Sequence, residues 1–94
     1  MNLKFTANTL VAAEKSAGKS FVDIIAELDS KSGASLTTIR ALLAAGLAGA
    51  NSNYLVFLDD HGAGKVIDER GIDVVAVEIG KALRTYFGKD TANG

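Results

Sequence analysis

Behind Ser35, the residues Leu36, Ile39, Leu43 and Leu47 recur at three- and four-residue intervals, and this spacing constrains the fold more than any other feature of the chain. Side chains at that period gather on one face of an α-helix, whereas a half-buried strand needs alternation. The Ser35 hydroxyl is placed to accept from the open N–H groups of the first turn, and Gly49 offers a backbone able to end the helix. The spacing therefore predicts a capped helix from Ser35 to Gly49, with Leu36, Ile39, Leu43 and Leu47 as its core seam.

The remaining segments follow the same grammar. Leu3 and Phe5 flank Lys4 in a short extended arm. A helix is predicted from about Asn8 to Ala17, with Leu10, Ala13 and Ala17 on one face and Gly18 as its stop. Ser20 to Asp23 has the shape of a capping box and opens a second helix that turns Phe21, Ile24, Ile25 and Leu28 inward. After the Ser35 helix, Tyr54 to Leu58 is an apolar run; a lone strand would have no partner here, so it is read as a helical turn or an extended segment on the bundle. Asp59 or Asp60 then caps a short helix through Val66 and Ile67 to about Arg70, ended by Gly71. The last helix carries Ile72, Val75, Ile79, Leu83 and Tyr86 at helical spacing and ends at Gly88. Val74 and Val77 add a second, narrower apolar strip. The fold class is all-α: one bundle of four to five short helices over residues 1–88, with a polar tail at 89–94.

Composition narrows the function classes. With 94 residues there is room for one core, and 48% hydrophobic content argues for a folded chain. Ten basic against eleven acidic residues leave a formal charge of −1, without the basic excess that phosphate neutralisation requires, so no nucleic-acid partner is expected. With 0 Cys there is no thiolate metal site or disulfide frame. The N-terminal residues lack a signal-like apolar stretch, and the Ala41 to Ala50 run falls well short of the ~20 residues that span a bilayer. A cytoplasmic protein with no membrane contact is expected.

Chemistry is scarce. His61 to Lys65 (His-Gly-Ala-Gly-Lys) has the glycines and lysine of a phosphate loop but not their spacing, and Val66 stands where a magnesium-binding hydroxyl belongs. Asp59, Asp60, His61, Asp68 and Glu69 gather ionisable groups, yet a single His with carboxylates is a weak ligand set, better read as caps and solvated faces. His61 as a general base has no nucleophile motif to serve. No catalytic, metal or cofactor residues are assigned, and no enzyme activity is expected. The candidate residues are instead partner-binding ones: Tyr54, Leu55 and Phe57 in the apolar run, with Val74 and Val77 on the last helix.

Several pieces in order carry a resemblance. Phe5-Thr-Ala-Asn-Thr-Leu10, Glu14, Gly18-Lys-Ser20, Leu28, Ile39-Arg-Ala-Leu-Leu-Ala-Ala-Gly-Leu47, Ala63-Gly-Lys-Val-Ile-Asp68 and Gly71 together resemble the small tail-assembly chaperones of tailed phages, in the version found with gene transfer agents and prophages. The resemblance runs from about Leu3 to Gly88; the chain departs from the pattern at Asn51 to Leu58. It implies a small, helical, non-catalytic helper without a cofactor. Such a helper shields the tape-measure protein and recruits tail-tube subunits in the host cytoplasm, and is absent from the mature particle. A small helical DNA-binding or regulatory protein and a self-associating structural module are the alternatives, and a homo-oligomer is compatible with either protein-binding reading.

Overall fold

Thr6 opens the helical part of the chain. Its backbone is extended, its hydroxyl accepts from the Thr9 amide at 3.2 Å, and its own N–H donates to the Thr9 hydroxyl at 2.9 Å. This reciprocal box satisfies two polar groups at the start of α1 (Ala7–Ala17). The computed structural model of the chain describes residues 2–31, 33–50 and 60–91. Four further helices follow: α2 (Phe21–Asp29), α3 (Leu36–Ala50), α4 (Asp60–Arg70) and α5 (Ile72–Thr91). No strand occurs among the described residues, and the chain is all-α.

The expected caps at Ser20 and Ser35 are present. Ser20 accepts from the Asp23 amide and Ser35 from the Thr38 amide, both at 3.2 Å. Gly18 at φ 73° and Gly71 at φ 90° end α1 and α4 in the left-handed conformation that disfavours a Cβ. The other two glycine stops are corrected: α3 continues through Gly49 to Ala50, and α5 continues through Gly88 to Thr91. Neither residue is among those with positive φ, so each is an ordinary helical residue.

Helix α3 is the hub. It packs on α1, α4 and α5, while α2 reaches the bundle chiefly through α1. A helix flanked on several sides buries a wide arc rather than a stripe, and α3 accordingly buries Thr38, Ile39, Leu42, Leu43, Ala45 and Ala48. The four-residue seam expected from the sequence is therefore corrected at its first member. Leu36 is 62% exposed, because it borders an open crevice against Gly64, Lys65 and Asp68 of α4 that no large side chain fills. Ile24, Leu42, Leu43 and Ile79 are fully buried, and each such side chain stabilises the fold by roughly 1.5–3 kcal/mol.

The N-terminal arm explains the glycines of α3. Lys4 N–H donates to the Gly46 carbonyl at 3.0 Å, and Phe5 is buried against the bundle. A Cβ at Gly46 would stand 3.1 Å from the Leu3 Cβ, and one at Gly49 would collide with the Lys4 carbonyl oxygen. The two glycines, one helical turn apart, thus form the shallow strip along which the arm lies.

Candidate protein-interaction surface

Between the α2–α3 corner and the outer side of α5 lies a groove of about 430 Å³. Ile39 and Leu83 form its buried floor, Ile25 and Leu28 one wall, and Ala76 and Gly80 the other. Small residues at 76 and 80 keep the α5 wall low, so the floor stays open. Asp29 and Arg84 stand at its edges as opposite charges.

Phe87 closes one end as a ridge. It is 39% exposed, packs against Phe21 with ring centroids 5.7 Å apart, and meets Tyr86 edge-on at 5.3 Å. These separations are those of attractive aromatic pairs, and they hold the ring upright. On its far side a second depression of about 330 Å³ is lined by Leu10, Val11, Phe21 and Tyr86. The result is two apolar depressions divided by one aromatic ridge.

The groove's α2–α3 wall is set by a carboxylate. Glu27 accepts from the Lys19 ammonium at 2.5 Å and from the Ser35 amide, at the start of α3, at 2.6 Å. Lys19, then the Ser35 amide, then the Thr38 hydroxyl hold the Glu27 carboxyl down from 4.5 to about 2. Glu14 repeats the device one helix earlier, accepting from the Phe21 amide at 2.6 Å. In both places a carboxylate on one helix meets the positive end of the next, which fixes the angle between them.

Val74 and Val77 lie on the outward half of α5, 49% and 55% exposed, beside the groove rather than in it. Tyr54, Leu55 and Phe57 lie outside the described residues, as does Asp59. Ala76 and Gly80 are not among the partner-binding residues expected from the sequence; Phe87 carries a sequence signal, since it falls one place after Tyr86, off the Val75, Ile79, Leu83 and Tyr86 seam, where a large apolar side chain must leave the core. Gly62 to Lys65 sit within α4, so their N–H groups point along a helix rather than converging as a phosphate cradle. Among the described residues no three His, Cys, Asp or Glu side chains gather as metal ligands, and no helix is long and apolar enough to cross a membrane. No protein-family model matches the chain, and no curated protein or solved structure matches it significantly.

Proposed function

We propose that this chain is a tail-assembly chaperone of a phage, prophage or gene transfer agent, acting by protein contact and without catalysis. Its clients on this reading are the tape-measure protein and tail-tube subunits, held in the host cytoplasm until they assemble. The observation that carries the proposal is the open apolar groove between the α2–α3 corner and α5, with the Phe87 ridge at its end. A groove with an apolar floor and charged edges accepts the apolar face of an amphipathic helix, the form in which an unassembled helical client exposes itself. The ordered resemblance along the sequence supplies the identity of that client.

The DNA-binding alternative is disfavoured by charge: ten basic against eleven acidic residues leave no basic excess to neutralise phosphates. The test is co-expression with a candidate tape-measure protein. The expected result is a soluble client that co-purifies with this chain, and loss of both effects with Ala76→Glu, which sets a carboxylate in the groove from an exposed position. A client that stays insoluble and does not co-purify would refute the proposal.

A further inference from the structure

The outward side of α5 carries Asp73, Val77, Gly80 and Arg84, spaced four, three and four residues apart, with Gly80 half-buried at the rim of the groove. That is the spacing of a helix–helix seam. Its order is self-complementary: acid at one end, base at the other, and a branched apolar residue and a glycine between them. If a second α5 is laid on the first in the opposite direction, Asp73 of each copy meets Arg84 of the other, and in the same register Val77 of each meets Gly80 of the other. We infer that two copies of this chain pair through α5, antiparallel, along this seam.

The side chains are placed for it. Asp73, Val77 and Arg84 are exposed, Val77 by 55%. The absent side chain at Gly80 leaves a hollow for the facing Val77 and lets the two backbones approach. The Arg84 guanidinium at present leans over Gly80, 3.7 Å from where a Cβ would stand; in the pair it swings off that hollow to the facing carboxylate. The contact is isologous, so two-fold symmetry makes each charge pair twice and closes the assembly at a dimer. Gly80 and Arg84 also border the groove, so a second copy and a client compete for this side of α5. The pairing itself does not depend on what the groove binds.

The experiment is sedimentation equilibrium of the full chain, without any client, from low micromolar to near-millimolar concentration. The wild type is expected to shift from monomer to dimer. Asp73→Arg or Arg84→Asp alone sets like charges opposite each other twice and should weaken association about tenfold or more. The double exchange of Asp73→Arg with Arg84→Asp restores opposite pairs and should recover most of it. Circular dichroism checks that each variant keeps its helix content. A chain that stays monomeric throughout, a dimer indifferent to the single reversals, or a double variant no better than the singles would overturn the inference. Because no client is present, such a failure leaves the chaperone proposal to its own co-expression test.

Discussion

Helices α3 and α5 draw on the same small residues and put them to opposite uses. In α3, Ala45, Gly46 and Ala48 are buried, and both Gly46 and Gly49 face the arm, closely enough at Gly49 to exclude a Cβ and at Gly46 to crowd one. In α5, Ala76 is exposed, and Gly80 and Gly88 have free space or only a flexible guanidinium near them. Where the neighbour is backbone, a missing side chain creates a contact; where it is solvent, the same absence lowers a wall. The two helices share small residues and differ in what lies over them.

The largest expected effect tests the α3 half of this contrast. Gly49→Ala should destabilise the chain by about 2 kcal/mol or more, because the collision is with the Lys4 carbonyl and overpacking outweighs the ~1 kcal/mol of helix propensity that Ala gains. Urea denaturation measures it. A stabilised variant would show that the arm does not lie on α3. Gly46→Ala should cost less, since there the tight neighbours are the side chains of Leu3 and Phe5, which can give way.

Next comes the corner that aims α3. The folded Glu27 carboxyl titrates at about 2, below its ordinary 4.5, so the folded state holds the charged form more tightly than the unfolded chain does. Its contribution is complete above about pH 4.5 and is lost as the pH falls towards 2. Melting temperature should therefore fall through that window. Glu27→Gln should start from a lower value at neutral pH and lose this part of the acid dependence; an unchanged acid profile would show that Glu27 does not hold the corner.

This corner also marks where the sequence stops being legible. Helix number, the Ser20 and Ser35 caps and the Gly18 and Gly71 stops follow from local chemistry, and local chemistry is read directly from neighbours in the chain. Leu36 lies outside the buried face because periodicity gives a stripe but not the width of the covering, which depends on how many helices surround α3. Gly49 and Gly88 looked like stops because the sequence does not report φ. Glu14 and Glu27 reach across to the next helix, and no local motif announces a partner that only the turn brings near. The groove was legible least of all, since it consists of what Ala76 and Gly80 leave unfilled.

On the α5 side of the contrast, Gly80→Ala should stabilise the monomer by about 1 kcal/mol, the propensity gain with no backbone in the way. The measurement belongs at low micromolar concentration, where self-pairing does not contribute. A loss comparable to that of Gly49→Ala would mean that Gly80 is packed against something, and the two helices would no longer differ.

The smallest effect is the most discriminating. Val74→Ser and Val77→Ser should each shift stability by less than about 0.5 kcal/mol, because these side chains are half exposed and Val and Ser have similar helix propensities. Val75→Ser, between them, removes a fully buried side chain and should cost about 2 kcal/mol or more, because it leaves both a cavity and a buried hydroxyl. Comparing the three melts at low and at high concentration separates packing inside one chain from covering by another. If Val77→Ser is neutral when dilute and destabilising when concentrated, the outward face of α5 is covered by a second copy. If it is neutral throughout while Val75→Ser is not, no second copy covers Val77, and the inferred pairing through α5 fails.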